Sequence, residues 1–181
     1  MEVLQVIGQL FQFIASWVPR LIHVDVRHRG VRFVRGLEPV LVEPGLRVYW
    51  PLTTELTVWP VISHTLQLDS QSLRTSDGES VELRLRLVYS TDDPVLLLNT
   101  LYEPDDSIPD LALGAAAEVV CSHTLEEMFA DIQSTNRELL QATRRPLGRV
   151  GVRVRKAQVA SLVRVSAIKH FGAIPVMEQE E

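Results

Sequence analysis

Five histidines and one cysteine are the side chains in this sequence best suited to chemistry: His23, His28, His64, His123 and His170, with Cys121. A zinc site draws its ligands from spacings such as HxxxH or HExxH, or from paired cysteines, and the sequence has neither pattern. Cys121 and His123 stand two apart, so on a helix they would point about 200° away from each other. A thiolate and its base would then have to be assembled from more distant residues, and Cys121 reads instead as a small buried apolar side chain. Gly36 and Gly45 fall in no phosphate-binding glycine pattern, and Ser72 and Ser76 lack the G-x-S-x-G context of a hydrolase nucleophile. The expectation is a protein that is not an enzyme, with no catalytic residue, no cofactor and no metal ligand.

The bulk properties narrow the class further. A chain of 181 residues suits one domain with a terminal appendage, and 46% hydrophobic with 23% charged residues is ordinary globular usage. A net charge of -5 offers no basic field for a nucleic-acid backbone, so no nucleic-acid partner is expected. The single cysteine allows no intramolecular disulfide and suits a reducing compartment.

Val3 to Val18 is a run of sixteen residues without a formal charge, closed by Pro19 and Arg20. Gln5, Gln9, Gln12 and Ser16 recur at helical spacing and form one polar stripe, while Ile7, Leu10, Phe11, Ile14, Trp17 and Val18 lie on the wide apolar face. Sixteen helical residues reach roughly 24 Å, short of the roughly 30 Å hydrocarbon core of a bilayer. Those six apolar residues are therefore expected to bind membrane lipid by lying in the interface or entering one leaflet. Glu2 precedes the run and Arg20, Arg27 and Arg29 follow it, which argues against a cleaved signal and places the main domain on the cytoplasmic side. The alternative is a helix packed on the domain or against a partner subunit.

From Leu21 to Tyr89 short apolar and β-branched stretches are divided by Gly, Pro and Asp, predicting strands over Leu21–Val26, Gly30–Val34, Leu46–Trp50 and Leu56–Trp59. Val81 to Tyr89 alternates apolar residues with Glu82, Arg84 and Arg86, introduced by a turn at Ser76-Asp77-Gly78 in which Gly78 is free to take positive φ. Pro94 starts a helix through Leu101, and Ser107 and Thr124 each precede an acid by three, as in a capping box. Leu111 to Cys121 is alanine-rich and helical. Asp131 to Arg145 predicts a further helix stopped by Pro146 and Gly148, and Val150 to Val163 returns to strand with a phase shift near Lys156. Strands, then helices, then a late strand define an α+β fold. The expected organisation is a membrane-associating segment over 1–20, the main domain over 21–165 and a tail over 166–181.

Four stretches carry a family resemblance. Gly30-Val31-Arg32-Phe33-Val34-Arg35-Gly36 is followed by Glu43-Pro44-Gly45-Leu46-Arg47-Val48-Tyr49-Trp50-Pro51-Leu52. Leu73-Arg74-Thr75-Ser76-Asp77-Gly78 then precedes the long strand and Tyr89 to Pro94. Leu111 to Phe129 leads through Thr124-Leu125-Glu126-Glu127, and Gly148 to Val159 closes the series. In order and spacing these resemble the stomatin, prohibitin and flotillin (SPFH, or Band 7) domain. That resemblance implies membrane attachment through an amino-terminal segment and homo-oligomeric rings or cages. It also implies scaffolding of membrane microdomains, or of partners such as a membrane protease, and carries over no catalytic residues. The short, glutamine-striped start, and an end without the family's long coiled coil, leave smaller rings, arcs or hetero-assembly open.

Arg84, Arg86, Arg153 and Arg155 alternate on two of the expected strands and would form a basic stripe if those strands are neighbours. Such a stripe would meet acidic lipid, or Glu126, Glu127 and Asp131 of an adjacent subunit, or simply water. From another functional class, the competing reading is a soluble adaptor that lays its apolar amino-terminal helix into a partner's groove.

Overall fold

The computed structural model describes residues 18–35 and 37–165, so the expected amino-terminal helix, with Ile7, Leu10, Phe11, Ile14 and Trp17, lies outside the described residues, as does the tail over 166–181. Alternating sequence gives seven short strands first: β1 (Arg20–Val24), β2 (His28–Val34), β3 (Val40–Val42), β4 (Gly45–Tyr49), β5 (Thr54–Pro60), β6 (His64–Gln67) and β7 (Gln71–Arg74). The long β8 (Ser80–Thr91) follows, then α1 (Pro94–Thr100), α2 (Pro104–Ser122), α3 (Leu125–Ala130), α4 (Ile132–Arg149) and the return strand β9 (Val152–Arg164). This is the expected α+β order.

The strands form three antiparallel groups: a β1–β4 ribbon, a β3-β2-β5 sheet, and a larger sheet in which β8 is flanked by β6 and β7 on one side and by β9 on the other. Val81, Leu83, Leu85, Leu87 and Tyr89 of β8 all point into the core, where Val152, Val154 and Ala157 of β9 and the inward faces of α2 and α4 meet them. Burying each large aliphatic side chain there contributes about 1.5–3 kcal/mol, the main favourable term holding helices to sheet. Small residues on α2, Ala112, Ala115 and Ala116, let α4 approach closely with its buried stripe of Thr135, Leu139, Thr143 and Leu147. The described helices cover one face of the sheet. Glu82, Arg84 and Arg86 stand exposed on the other face.

Two helix ends differ from the sequence reading. The second helix begins at Pro104 rather than near Ser107, because Pro104 fits the first position and Asp105 and Asp106 sit in the first turn, where the helix dipole favours acids. The fourth helix runs through Pro146 and Gly148 to Arg149. Pro146 removes one backbone donor close to the helix end, and full burial of Leu147 one position later offsets that loss. Thr124 does form the expected capping box with Glu127.

The phase shift near Lys156 is a β-bulge. Val88 pairs with Lys156 and Tyr89 with Val154, so Arg155 is passed over in the ladder. As a result Arg153, Arg155 and Lys156 are all exposed within four residues. The outer edge of β9 is occupied by α4 side chains: Val159 N–H donates to Asn136 Oδ1 at 2.7 Å, and Arg144 Nε donates to the Val154 carbonyl at 3.1 Å.

Candidate membrane interface

In the β1–β4 ribbon Leu21 pairs with Val48 and His23 with Leu46, and paired residues share a face. The other face carries Ile22 and the fully buried Val24, which turn towards the rest of the protein. Turning Val24 inward leaves the alternate side of the ribbon to the surroundings, and here that side carries Leu21, Leu46 and Val48 beside His23. Leu21, Leu46 and Val48 each keep 63% of their surface exposed, Trp50 at the end of β4 keeps 48%, and Val18 leading into β1 keeps 56%. A contiguous apolar surface of this kind marks an interaction site for lipid or protein. Of the six residues expected to bind membrane, Val18 alone falls within the described residues, two positions before β1. Ribbon face and amino-terminal segment are thus joined in sequence. Sequence reading placed Trp50 at the end of an expected strand but missed the face; the pairing of Leu21 with Val48 and of His23 with Leu46 was needed to find it.

The residues first considered for chemistry have structural surroundings. Cys121 is exposed, contrary to its reading as a buried side chain, because α2 turns Ala116, Val119 and Val120 inward and leaves the next position outside. His123 closes α2, its Nδ1 lying 2.9 Å from the Val119 carbonyl and its Nε2 3.0 Å from Glu138 of α4. It ties two helices together and is no base for Cys121. His64 packs its ring 5.9 Å from Tyr89, and its buried Nε2 has no hydrogen-bond partner among the described residues. Burial, and then the Asp105 charge, push the Tyr89 hydroxyl above its ordinary pKa. Among the described residues no three His, Cys, Asp or Glu side chains converge as a metal set.

The Ser76-Asp77-Gly78 turn locks the sheet to the helical corner. Gly78 takes φ +84°, Ser76 N–H donates to the His123 carbonyl at 3.0 Å, and the Asp77 carboxylate accepts from the Thr75 hydroxyl and, at 3.4 Å, from Leu125 N–H. The Thr75 hydroxyl is the first cause that holds the Asp77 carboxyl below its ordinary value; the Thr124 backbone N–H does the same for Glu127.

Arg84, Arg86, Arg153 and Arg155 do share the open face of neighbouring strands. Arg153 pairs with Asp92, whereas Arg84, Arg86 and Arg155 have no carboxylate partner among the described residues. Glu126, Glu127 and Asp131 are exposed at the far helical corner, where Glu127 and Asp131 serve as helix caps.

An antiparallel sheet covered on one face by the described helices, preceded by a strand-rich half with an outward apolar ribbon, defines a class of α+β domain. The SPFH domain / Band 7 family model matches residues 22–169, and the chain belongs to that family. Members are typically non-enzymatic scaffolds associated with membranes. A comparison of the sequence with curated proteins finds no match. No helix among the described residues is long and apolar enough to cross a membrane.

Proposed function

We propose that this protein is a membrane-associated scaffold whose copies assemble side by side, with the main domain facing the cytoplasm. In that position it would organise membrane microdomains or hold membrane-bound partners, a membrane protease among them. The observation that carries this reading is the apolar ribbon face of Leu21, Leu46, Val48 and Trp50, continuous in sequence with the apolar face expected over Ile7 to Val18. Seating several such side chains at the acyl boundary contributes several kcal/mol, at about 0.8 kcal/mol per buried CH₂. Assembly multiplies the contribution, because once one copy is bound its neighbours are held at high local concentration. Membrane attachment and oligomerisation therefore reinforce each other.

The test is flotation with phosphatidylcholine vesicles, comparing the intact chain, a form lacking residues 1–17, and the L21S/L46S/V48S variant. The expected result is flotation of the intact chain and at least a tenfold loss in each altered form, by the burial arithmetic above. Failure of the intact chain to float would assign both apolar surfaces to protein contacts and favour a soluble adaptor.

A further inference from the structure

A cavity of about 650 Å³ opens where the end of β8, the start of α1, the end of α4 and the start of β9 meet. Arg144, Arg153 and Arg155 line it, together with Gly148 and Gly151. Its floor depends on Gly151, which takes φ +81° and whose carbonyl accepts from Asp92 N–H at 3.0 Å and Asp93 N–H at 3.1 Å. A side chain there would collide with the Asp93 carbonyl oxygen.

The arginines are held in a particular way. Arg144 donates through Nε to the Val154 carbonyl at 3.1 Å, and Arg155 through Nε to Ser90 Oγ at 3.5 Å. Neither residue's terminal nitrogens have a hydrogen-bond partner among the described residues. An arginine fixed at Nε presents its remaining N–H groups as a fork matched to phosphate oxygens. The bulge at Arg155 leaves Arg153 and Arg155 both exposed, and both line the cavity. The two carboxylates at the cavity are already engaged, Asp92 by Arg153 and Asp93 by the Leu96 N–H of α1. Asp93 keeps its negative charge, so three arginines against two carboxylates leave one positive charge in excess, and the terminal nitrogens of Arg144 and Arg155 open onto a concave space.

We infer that this cavity binds a phosphate group, and that the phosphate is presented by the headgroup of an anionic phospholipid. The second clause rests on the membrane reading above. It follows from place: Trp59 Nε1 of β5 donates to Thr91 Oγ1 at 3.1 Å and α1 packs on β2 and β3, so the cavity lies at the end of the long sheet that adjoins the strand-rich half. The helical corner at α3 lies at the opposite end of β8, where the Asp77 turn docks.

The experiment uses the full chain, isotopically labelled and titrated with inorganic phosphate while the Gly148 and Gly151 amides are followed by NMR. In parallel, flotation compares phosphatidylcholine vesicles carrying phosphatidic acid with vesicles carrying the same mole fraction of oleic acid. Phosphate is expected to shift both glycine amides, and phosphatidic acid to retain more protein than oleic acid. R144Q and R155Q should each weaken both responses about tenfold. R84Q/R86Q, on the same open face but outside the cavity, should leave the amide response unchanged. D92N should strengthen phosphate binding severalfold, since it removes a competing charge and frees Arg153; a misfolded variant cannot produce that gain. Amide shifts abolished by R144Q and R155Q, with equal flotation on the two vesicle types, would keep the phosphate site and assign it to a soluble phosphate compound. Glycine amides unmoved by phosphate, or equal losses in R84Q/R86Q and R144Q/R155Q, would overturn the site. Flotation on phosphatidylcholine alone is read separately, so failure of the membrane reading leaves the phosphate result intact and interpretable.

Discussion

The β1–β4 ribbon and the β8–β9 pair are both antiparallel ladders built from alternating sequence, yet they turn opposite chemistries outward. In β8 the alternate residues are Glu82, Arg84 and Arg86 around a core-facing row of leucines; in the ribbon they are Leu21, Leu46 and Val48. A ladder whose apolar row is already buried gains nothing further from a partner. One that buries Val24, half-buries Ile22 and still displays leucines would gain from a second surface. Self-sufficiency and incompleteness are thus divided between the two halves of the chain.

Substitutions sharpen that division. Leu85→Ala in β8 is expected to cost about 2–5 kcal/mol in urea or thermal unfolding, since it opens a cavity in the packed core. Gly151→Ala should cost at least about 1–3 kcal/mol, the scale of strain for a side chain forced into positive φ, and more if the Asp93 carbonyl cannot move away. Thr124→Ala removes the α3 cap and should cost about 1 kcal/mol. Ribbon substitutions L46S and V48S should change unfolding by less than about 0.5 kcal/mol while weakening vesicle flotation. A core-sized loss of stability in those two would show that the ribbon face is packed and break the comparison.

Acid provides a gentler probe. Asp77 and Glu127 titrate below their ordinary values of 3.8 and 4.5, so the folded chain holds fewer protons than the unfolded chain in that region. The stability these carboxylates lend is complete above pH 4.5 and is lost as the pH falls through their lowered folded-state values. In denaturant midpoints measured from pH 6 down to pH 3, Asp77→Asn should lose stability at the high end and show a shallower decline. An identical decline in wild type and variant would remove the sheet-to-corner lock from the account.

Much of the fold was legible because its signals are local. Nine residues of alternation from Val81 to Tyr89 identify a half-buried strand, and Thr124 with Glu127 identifies a cap, without reference to anything distant. The start of α2 was misread because Pro104 competes locally with Ser107 as a helix start, and the end of α4 because a distant contact decides. Pro146 signals a stop, but whether the helix stops depends on whether Leu147 finds a core. Cys121 illustrates the same limit, since a small residue in an alanine-rich helix fits either face until the neighbouring helix is placed. For the candidate site, alternation shows that Leu21 and His23 share a side of β1; only the pairing with β4 and the covering of Ile22 and Val24 reveal that this side is open. The basic cavity was half legible: four arginines were singled out, but Arg144 comes from a helix, and its part depends on where α4 crosses β9.

The side chains of Asn136 and Arg144 along the rim of β9 bear on how copies of this chain would meet in the proposed assembly. A free strand edge invites a neighbour's backbone to continue the sheet, a route that is indifferent to sequence and has no natural end. Here two positions on that edge, the Val159 N–H and the Val154 carbonyl, are already spoken for by α4, and the opposite edge is broken into two four-residue strands, β6 and β7. In an assembly of the proposed kind, backbone pairing along this sheet would be hindered at these positions, so contacts there would rest on the shape and charge of exposed side chains.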